Sequence, residues 1–259
     1  MGMDFYKYQG TGNDFIIIDN RNNNFPKDDY NFIKELCDRR FGIGADGLML
    51  LENSNSFDFN MVYFNADGNL GSMCGNGGRC IVQFAKFLEI INNKTTFEAI
   101  GKPYYATIEN DLVSLKMNDV SHIEVHPNHI FLNTGSPHHI KFTENVNSLD
   151  VKSIGEKIRY ASPYFEEGTN VNFVEQINSN TFKVRTYERG VEDETLSCGT
   201  GVTAVAIASH AAKKSTEKTI NLQTLGGTLE VSFDKEDNNY RNIVLKGPAM
   251  FVFKGEIQI

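Results

Sequence analysis

The sequence predicts an α/β protein made of two halves that carry the same order of structural elements. Each half contains a Cys-Gly-x-Gly stretch between a β-like run and a helix-like run, Cys74-Gly75-Asn76-Gly77 in the first and Cys198-Gly199-Thr200-Gly201 in the second. The chain length from each cysteine to the next glycine turn, at Gly101 or Gly226, differs by a single residue. This match in order and spacing indicates an internal repeat on the scale of a domain.

The composition is that of a globular protein. The 259 residues are 40% apolar and 22% charged, and this length allows one large domain or two ordinary ones. The net charge of −8, without a basic stripe, argues against a nucleic-acid surface. No stretch approaches the roughly 18 apolar residues that span a bilayer, and the N-terminus lacks the pattern of a secretion signal. We therefore expect a cytoplasmic protein with reduced thiols that binds neither nucleic acid nor membrane.

The first half begins with two strands, at residues 4–9 and 14–19. The Gly10-Thr11-Gly12-Asn13 segment between them is either a hairpin turn, in which Asn13 tolerates a left-handed backbone, or a binding loop. Asp28 or Asp29 is expected to cap a helix at 30–38. The glycines of 39–47 predict unusual dihedral angles or a close approach of the backbone to a neighbour. The remaining predicted elements of this half are strands at 48–52, 57–65, 95–99, 104–109 and 112–117, and a helix at 74–88.

The second half begins at about 118–127. Asp150 is the predicted cap of a helix at 151–162, and the loop 189–197 leads into a helix at 198–213. Because residues 202–208 are apolar nearly all round, we expect this last helix to be buried. The predicted strands are 130–134 and 139–142, joined by Gly135-Ser136-Pro137-His138, then 170–176, 182–188, 220–224, 228–233 and 242–246, with a last stretch at 249–259.

Two of the four cysteines stand where a thiol becomes acidic. Cys74 and Cys198 each precede a glycine-rich helix start, where unpaired backbone N–H groups and the positive end of the helix dipole lower the pKa of a thiol. The same N–H groups can hold a carboxylate. Cys37 and Cys80 fall inside predicted helices and are expected in the core. The cysteines lack CxxC spacing and the histidines are scattered, so we expect no metal site.

A pair of near-equivalent thiols suits a reaction that is itself nearly symmetric. Inverting a carbon acid needs a base on one face and an acid on the other, and a thiolate and a thiol supply both. Backbone N–H groups at the helix starts would stabilise the charge that develops as the Cα–H bond breaks. This scheme requires no metal or pyridoxal cofactor. The alternative is that Cys74 and Cys198 are unreactive buried residues, although the small residues beside each thiol leave room for a ligand.

Seven motifs follow one another along nearly the whole chain. They are Gly10-Thr11-Gly12-Asn13-Asp14-Phe15, Gly42-Ile43-Gly44-Ala45-Asp46-Gly47, Phe64-Asn65-Ala66-Asp67-Gly68, Met73-Cys74-Gly75-Asn76-Gly77, Gly168-Thr169-Asn170-Val171-Asn172-Phe173, Tyr187-Glu188-Arg189-Gly190 and Ser197-Cys198-Gly199-Thr200-Gly201. Together they resemble the diaminopimelate epimerase family, whereas Cys-Gly-x-Gly alone would also fit proline racemase relatives and phenazine-type isomerases. The resemblance implies an α/β (α+β) fold of two pseudo-symmetric domains, each a mostly antiparallel sheet wrapped around a central helix. The first domain would take residues 1–118 and 248–259, and the second 119–247.

The resemblance also implies a function and a set of site residues. The protein would be a cofactor-independent isomerase that interconverts LL-diaminopimelate and meso-diaminopimelate, on the route to lysine and peptidoglycan. Cys74 and Cys198 would be its acid–base pair. Glu188 and His138 would lie beside the reacting centre and orient the substrate or set the pKa values of the thiols. The implied substrate-binding residues are Gly75, Asn76, Gly199 and Thr200 at the reacting carboxylate, and Asn13, Asn65, Asn170 and Arg189 at the distal amino-acid end.

Two positions depart from the pattern of the family. Ser136 stands where the family commonly has an asparagine before Pro-His, and a hydroxyl cannot replace the donor and the acceptor of an amide together. Gly47 stands where some members carry a polar side chain, so any contact at that position would come from the backbone. The resemblance further implies a homodimer.

Three rival functions use the same residues. A proline or hydroxyproline racemase is disfavoured because Asn65, Asn170 and Arg189 suit a second charged end, which proline lacks. A thiol-disulfide redox protein is disfavoured because redox cysteines usually lie close in sequence. A non-catalytic module for binding amino acids would have no use for two thiols. Which cysteine takes the proton from the LL substrate stays open.

Overall fold

The structure is a computed structural model that describes residues 2–71 and 73–258. It divides into two compact units: unit 1 comprises Met1–Leu115 and Gly247–Ile259, and unit 2 comprises Lys116–Lys246. The C-terminal segment therefore belongs to the same unit as the N-terminal segment. The last stretch predicted from the sequence ends at Ile259, which lies outside the described residues.

Both units combine helices with strands. The helices are α1 (Tyr30–Cys37), α2 (Gly75–Phe87), α3 (Val151–Tyr160) and α4 (Gly199–Ala211). The strands are β1 (Gly2–Gly10), β2 (Asn13–Asp19), β3 (Gly47–Glu52), β4 (Asn60–Asn65), β5 (Lys94–Ala99), β6 (Lys102–Glu109), β7 (Leu112–Lys116), β8 (Ile123–Val125), β9 (Ile130–Asn133), β10 (Pro137–Phe142), β11 (Asn170–Gln176), β12 (Thr181–Glu188), β13 (Asp193–Thr195), β14 (Thr219–Thr224), β15 (Gly227–Glu236), β16 (Asn239–Pro248) and β17 (Met250–Gln258).

Unit 1 is built on a mixed sheet, and α2 packs against three of its strands. Its strands are ordered β17-β1-β2-β3-β4-β5-β6-β7, with β2–β3 and β4–β5 parallel and the other neighbours antiparallel. α2 packs against β1, β2 and β3 through fully buried side chains such as Ile81 and Phe84. A separate apolar core, which includes Ile16, Ile33 and Leu48, joins α1 to the sheet. Burial of these apolar surfaces is the main term that stabilises the unit.

Unit 2 repeats this arrangement. Its strands are ordered β8-β9-β10-β11-β12-β14-β15-β16, with β13 added along the end of β12, and its parallel neighbours are β10–β11 and β12–β14. α4 packs against β9, β10, β11, β12, β14 and β15, and α3 packs against β11, β12 and β13. Residues 202–208 of α4 are all buried, as their all-round apolar character predicts.

The internal repeat predicted from the sequence is confirmed by the strand pairing. In each unit a hairpin, a parallel contact, a second hairpin and a second parallel contact follow one another, and the glycine-led helix lies between the same two strands. The predicted class, mostly antiparallel sheets around a central helix, is therefore confirmed. Asp29 and Asp150 cap α1 and α3 by accepting from the N–H groups of Phe32 and Ser153.

Some local predictions differ from the structure. The left-handed residues of the first hairpin turn are Thr11 (φ 51°) and Gly12 (φ 93°), so the expectation that Asn13 adopts this conformation is wrong; Asn13 instead begins β2. Pro137 and His138, predicted in a loop, are the first residues of β10, because proline is tolerated at the start of a strand. The three-residue strands β8 and β13 were not predicted, since such short segments carry little periodic signal.

Candidate active site

Three strand ends of unit 1 meet at one edge of its sheet. β2 begins at Asn13, β3 begins at Gly47 and β4 ends at Asn65. Because β2 and β3 are parallel while β4 runs antiparallel to β3, these ends lie side by side, and Gly47 pairs directly with Asn65. Residues taken from three separate sequence motifs are thus brought to one edge.

Helix α2 starts at this same edge. Cys74 is its half-buried N-cap, and Gly75 and Asn76 of the first turn are buried. The amide of Asn76 donates to the side-chain oxygen of Asn13 over 2.6 Å, which ties the helix start to the start of β2. Cys74 therefore lies at the positive end of the helix dipole, a position that stabilises a thiolate.

A hydrogen-bond chain fixes the side-chain amides of Asn76 and Asn13. Arg79 Nη2 donates to Asn76 Oδ1 (3.1 Å), Asn76 Nδ2 donates to Asn13 Oδ1 (2.6 Å), and Asn13 Nδ2 donates to Asp46 Oδ2 (2.9 Å). A guanidinium only donates and an ionised carboxylate only accepts, so the two ends of the chain set its direction. Both amides consequently present their remaining polar groups in fixed orientations.

Asp46 belongs to a charged cluster next to Asn13. Arg39 Nη2 lies 2.7 Å from Asp14 Oδ1 and 2.6 Å from Asp46 Oδ1, and Lys7 Nζ lies 2.8 Å from Asp14 Oδ2. Burial raises the pKa of Asp14, but the hydrogen bonds from Arg39 and Lys7 outweigh this effect and hold the pKa below its ordinary value. Asp14 therefore stays ionised near neutral pH and anchors the start of β2.

Arg79 is a fully buried cation in α2, with 0% of its surface exposed. It donates to the backbone oxygens of Gly75 (3.2 Å) and Pro248 (3.3 Å), to Thr11 Oγ1 (3.0 Å) and to Asn76 Oδ1 (3.1 Å). Each of these acceptors, within the described residues, is a neutral oxygen. Burial lowers the pKa of Arg79, yet a guanidinium stays protonated in proteins. Unit 1 thus holds a fixed positive charge inside the first turns of the helix that Cys74 begins.

Gly47 has no room for a side chain. A Cβ atom at this position would lie 2.5 Å from the backbone oxygen of Phe64 and 2.5 Å from the ring of Tyr63. Real Cβ atoms do not approach so closely, so the glycine is required by close packing between β3 and β4. A substrate contact from the backbone of Gly47 stays a prediction.

The same edge geometry recurs in unit 2. β10 begins at Pro137, β11 begins at Asn170 and β12 ends at Glu188, and His138 pairs with Asn170 across the parallel contact. Asn170 is the first residue of β11, as Gly47 is of β3. Cys198 is the buried N-cap of α4, with Gly199 buried and Thr200 partly exposed in the first turn. The predicted residues of the second half are therefore also gathered by strand ends and one helix start.

A second chain of hydrogen bonds reaches Cys198. Asn172 Nδ2 lies 3.1 Å from His138 Nδ1, His138 Nε2 lies 3.0 Å from Thr200 Oγ1, and Thr200 Oγ1 lies 3.4 Å from Cys198 Sγ. Burial, aided by the charge of Arg189, lowers the pKa of His138 to about 3, so the ring is neutral. Because Asn172 donates to Nδ1, the ring proton sits on Nε2 and donates to Thr200. Thr200 Oγ1 therefore accepts from the ring, and in its contact with the sulfur either the hydroxyl or the thiol can be the donor.

Asn172 is held in place by its own neighbours. It is fully buried, and its side-chain oxygen accepts from Thr186 Oγ1 over 3.0 Å. A Cβ atom on Gly201 would lie 2.6 Å from that same oxygen, so only glycine fits beside Asn172 in the first turn of α4. The last glycine of the Cys-Gly-x-Gly motif therefore makes room for the group that orients His138.

Asn170 joins three segments of unit 2. Its amide donates to Ser136 Oγ (2.8 Å) and to the backbone oxygen of Pro137 (2.9 Å), and its side-chain oxygen accepts from the backbone N–H of Arg189 (2.9 Å). Ser136, which departs from the family pattern, thus contacts a predicted binding residue. Through these bonds Asn170 positions the backbone of Arg189.

Glu188 and Arg189 differ in exposure. Glu188 is partly buried and accepts from Thr195 Oγ1 over 2.9 Å, whereas Arg189 is exposed and donates from Nη1 to the backbone oxygen of Glu167 over 2.7 Å. The Arg189 guanidinium is therefore partly anchored and also open to solvent. This combination suits a cation that meets a ligand carboxylate.

Arg79, Asn172 and Asp46, which orient the predicted residues, were not predicted as site residues from the sequence. Asn172 and Asp46 lie inside two of the seven motifs. Each is a polar residue within or beside an apolar strand, and this feature could have marked it as a site residue. Arg79 could have been noticed as a charge among the buried positions of an amphipathic helix. Buried polar residues of this kind are usually hydrogen-bonded to something specific.

The described residues contain neither a metal-binding cluster nor a membrane-spanning helix. No group of three or more His, Cys, Asp or Glu side chains lies close enough to hold a metal ion. None of the helices in the described part of the chain is both long and apolar enough to cross a bilayer.

Comparison with solved structures defines the class of fold. A phenazine biosynthesis protein of the PhzF family from Bacillus anthracis matches with a TM-score of 0.77 at 13% identity, covering 100% of both chains. A hydroxyproline epimerase from Agrobacterium vitis matches with a TM-score of 0.68 at 12% identity, covering 99% of this chain and 92% of that one. The chain therefore shares the two-unit α/β fold of these proteins.

Comparison of sequences defines the family. The family model described as diaminopimelate epimerase matches residues 5–123 and 130–252. A diaminopimelate epimerase from Flavobacterium psychrophilum is 59% identical over 256 residues, covering 98% of this chain and 100% of the relative. One from Chlorobaculum tepidum is 42% identical over 260 residues, covering 96% and 99%. The chain belongs to the diaminopimelate epimerase family, which confirms the resemblance inferred from the seven motifs.

Proposed function

We propose that this chain interconverts LL-diaminopimelate and meso-diaminopimelate by inverting one stereocentre, on the route to lysine and peptidoglycan. Membership of the family makes it an isomerase, since full-length relatives carry the name diaminopimelate epimerase. The observation that carries the mechanism is the matched placement of Cys74 and Cys198. Each is the N-cap of the glycine-led helix in its own unit.

Cys74 and Cys198 serve as base and acid in this proposal. The thiolate of one takes the α-proton, and the electron pair of the broken C–H bond is delocalised into the neighbouring carboxylate. The thiol of the other then gives its proton to the opposite face of the carbon. One thiol has gained a proton and the other has lost one, so the pair is set for the reverse direction. The scheme involves no change of redox state and needs no cofactor.

The two helix starts supply the groups that hold the reacting carboxylate. Gly75 and Asn76 in α2, and Gly199 and Thr200 in α4, provide backbone N–H groups of the first helical turn. Such groups favour negative charge and are already aligned before the reaction, so they stabilise the charge that builds up as the proton leaves. This is the role we assign to the glycines, which add no bulk at the helix start.

The distal amino-acid end is assigned to four residues. Arg189 binds the distal carboxylate through its solvent-exposed guanidinium group. Asn13, Asn65 and Asn170 hold the distal amino group and orient the carbon chain of the substrate. The orientation of Asn13 by Asp46, and of the Arg189 backbone by Asn170, supports this assignment. Glu188, His138 and Ser136 complete the surroundings, and Gly47 contributes its backbone only.

Exchange of the α-proton with solvent tests the function directly. LL-diaminopimelate is incubated with the protein in deuterated water, and the α-proton is followed by NMR while the stereoisomers are separated. We expect deuterium at the inverted centre together with formation of the meso isomer. L-Proline and trans-4-hydroxy-L-proline serve as matched competing substrates. Exchange of either of these in place of diaminopimelate would assign the chain to the racemase rival instead.

We also propose that the protein is a homodimer that associates through β17. β17 pairs with β1 on one side, and its residues Met250 to Phe253 are 45–55% exposed although all four are apolar. An exposed apolar strand at the edge of a sheet favours pairing with another chain. Light scattering after size exclusion is expected to give twice the mass of the chain, and Val252→Lys is expected to give a monomer. A monomeric wild-type protein at micromolar concentration would contradict the proposal.

Two further assignments accompany the function. The predicted domains, 1–118 with 248–259 and 119–247, are proposed to be the folding domains, supported by compact units whose borders lie within a few residues of these. We place the enzyme in the cytoplasm, because acid–base cysteines need a compartment that keeps thiols reduced.

A further inference from the structure

Arg159 is a buried cation in the last turn of α3, with 8% of its surface exposed. Its Nε lies 3.2 Å from Glu192 Oε1, and its Nη1 donates to the backbone oxygen of Phe165 over 3.1 Å. A guanidinium carries several donors in a fixed fork, so one side chain can hold two segments at once. Arg159 therefore joins the segment 165–168, which precedes β11, to the segment 189–192, which follows β12.

Both segments contain backbone conformations that need support from their surroundings. Phe165 and Glu192 have φ angles of 43° and 58°, in the left-handed region that side chains other than glycine rarely adopt. Gly168 has a φ of 62°, and a Cβ atom at this position would overlap the guanidinium group of Arg159. The glycine that opens the Gly168-Thr169-Asn170 motif is therefore required so that Arg159 can lie against the backbone.

The carboxylate of Glu192 closes the turn that contains Arg189. Its Oε1 accepts from the backbone N–H of Gly190 over 3.1 Å, and its Oε2 accepts from the hydroxyl of Tyr187 over 3.0 Å. Tyr187 is 1% exposed and belongs to an apolar core of unit 2, so its hydroxyl is a rigid anchor. Burial raises the pKa of Glu192, but hydrogen bonds from Gly190, Tyr187 and Arg159 outweigh this effect and hold the pKa below its ordinary value. The carboxylate is thus ionised near neutral pH.

Arg189 is held by both segments. Its Nη1 donates to the backbone oxygen of Glu167 over 2.7 Å, and its own backbone N–H donates to Asn170 Oδ1 over 2.9 Å. Glu167 lies in the segment that Arg159 holds, and Arg189 begins the turn that Glu192 closes. The ion pair between Arg159 and Glu192 therefore fixes the backbone of Arg189 relative to the carbonyl that its guanidinium group contacts.

We propose that Arg159 and Glu192 are positioning residues that hold the Arg189 guanidinium group where it receives the distal carboxylate of diaminopimelate. This rests on the proposed function, in which Arg189 binds that carboxylate, and it assigns part of the substrate preference to a pair that acts through Arg189. An exposed arginine side chain that is free to rotate loses conformational entropy when it binds a ligand. Holding it in place beforehand lowers that cost and so strengthens binding.

Steady-state kinetics of Glu192→Gln with two substrates test the proposal. The amide keeps the volume of the carboxylate and removes the charge that pairs with Arg159. We expect kcat/KM for diaminopimelate to fall about tenfold, mainly through a higher KM, while kcat/KM for lysine stays within about twofold of the wild type. Adding Glu192→Gln to Arg189→Gln should cause no further loss, since the effects of residues that act through one another are not additive.

Glu194→Gln is the matched control. Glu194 pairs with Arg185 over 2.6 Å between β13 and β12, so this change also breaks a partly buried ion pair of unit 2. It leaves the turn of Arg189 intact and should not alter the preference for diaminopimelate over lysine. Arg159→Met breaks the proposed link from its other side and should reproduce the effect of Glu192→Gln. It also provides the test if circular dichroism shows that Glu192→Gln does not fold.

Limited digestion with trypsin gives a readout that requires no activity. Trypsin cleaves after arginine, and proteolysis of a folded chain follows the local opening that exposes the bond. Cleavage between Arg189 and Gly190 is followed over time by mass spectrometry. We expect Glu192→Gln to speed this cleavage about tenfold and Glu194→Gln to leave it at the wild-type rate.

Three outcomes would count against these assignments. An unchanged preference for diaminopimelate, or an unchanged rate of cleavage after Arg189, in both Glu192→Gln and Arg159→Met overturns the proposal. An equal loss for both substrates that adds to the loss in Arg189→Gln also overturns it, because a pair that only stabilises the fold behaves in this way. A wild-type protein that leaves diaminopimelate unchanged refutes the proposed function instead, and the trypsin result then decides by itself whether the pair holds Arg189.

Discussion

The hydroxyl oxygen of Thr200 lies 3.4 Å from the sulfur of Cys198. The Thr200 oxygen accepts from the ring of His138, whose own tautomer is set by Asn172, so the hydroxyl proton stays available for the sulfur when Cys198 is a thiolate. The hydroxyl beside Cys198 is thus held in place by two further side chains. Removing any member of this hydrogen-bond chain should change the reactivity of the Cys198 thiol.

Replacing Thr200 with valine keeps the shape and removes the donor. We expect kcat to fall by about 10- to 100-fold, since a hydrogen bond to a charged group contributes about 1.5–3 kcal/mol. Thr200→Ser keeps the hydroxyl and should retain most of the activity. Initial rates with LL-diaminopimelate across pH are the measurement, and a wild-type kcat in Thr200→Val would show that the hydroxyl does not act on Cys198.

Loss of either proposed acid–base thiol should stop the reaction without unfolding the protein. Cys74→Ala and Cys198→Ala are each expected to lower kcat by a factor of about 100 to 10,000, the range for a positioned acid or base. Cys37→Ala is the matched control, because Cys37 is buried in α1 and should cost only about 1 kcal/mol of stability through a small cavity. Turnover above a tenth of the wild-type rate in either active-site variant would disprove the pairing.

Arg189 should set the preference for a substrate with two carboxylates. Lysine lacks the distal carboxylate, and we expect its kcat/KM to be lower than that of diaminopimelate by about 1,000-fold or more. Arg189→Gln should remove most of this difference by lowering kcat/KM for diaminopimelate alone. Lys183→Gln on β12, the strand that Arg189 follows, serves as a charge-matched control. If Arg189→Gln discriminates as strongly as the wild type, the distal carboxylate binds elsewhere.

The stability of unit 2 should fall in mild acid because of a buried histidine. Burial, and secondarily the charge of His129, lowers the pKa of His139 to about 3, whereas the unfolded chain has an ordinary value near 6.5. Between these values the unfolded state binds the extra proton, so stability is complete above about pH 6.5 and is lost as the pH falls. His138, with its pKa near 3, acts in the same direction. The loss per histidine approaches about 1.4 kcal/mol per pH unit within this window.

Urea denaturation at several pH values measures this effect. His139→Gln should be less stable than the wild type at pH 7.5, since the ring bonds Tyr164 over 2.9 Å, but should lose less stability between about pH 6.5 and 4.5. His122→Gln is the matched control, because the His122 side chain is 79% exposed. If the free energy of unfolding of His139→Gln falls with decreasing pH as steeply as that of the wild type, His139 is not the cause of the acid sensitivity.

Much of the fold could be predicted because its signals are local. The caps Asp29 and Asp150 precede their helices at the required spacing, and the apolar run of α4 indicates burial by itself. The wrong assignment at Asn13 arose because a threonine took the left-handed position for which asparagine is the commoner choice. Here pairing of Gly10 with Asn13 fixed the register of the turn, a constraint that the four turn residues do not reveal.

The candidate site was predictable as a set of motifs and less so as a set of contacts. Cys74, Asn76 and Asn13 are all present in the motifs, but the bond between Asn76 and Asn13 joins residues far apart in the sequence. The same holds for Asn172 and His138, whose strands meet through a parallel contact. Parallel pairing depends on chain crossovers, so no local pattern specifies which side chains will face each other.

The pairing of β17 with β1 affects the order in which the two units can fold during synthesis. Residues 116–246 are contiguous, so every strand of unit 2 is synthesised before β17, whereas β1, the first strand of unit 1, can pair with β17 only after β17 has been made. Until that strand is released from the ribosome, one side of β1 exposes unpaired backbone groups. The sheet of unit 1, which carries Cys74, is therefore completed after the sheet of unit 2, and removal of β17 would leave one side of β1 unpaired.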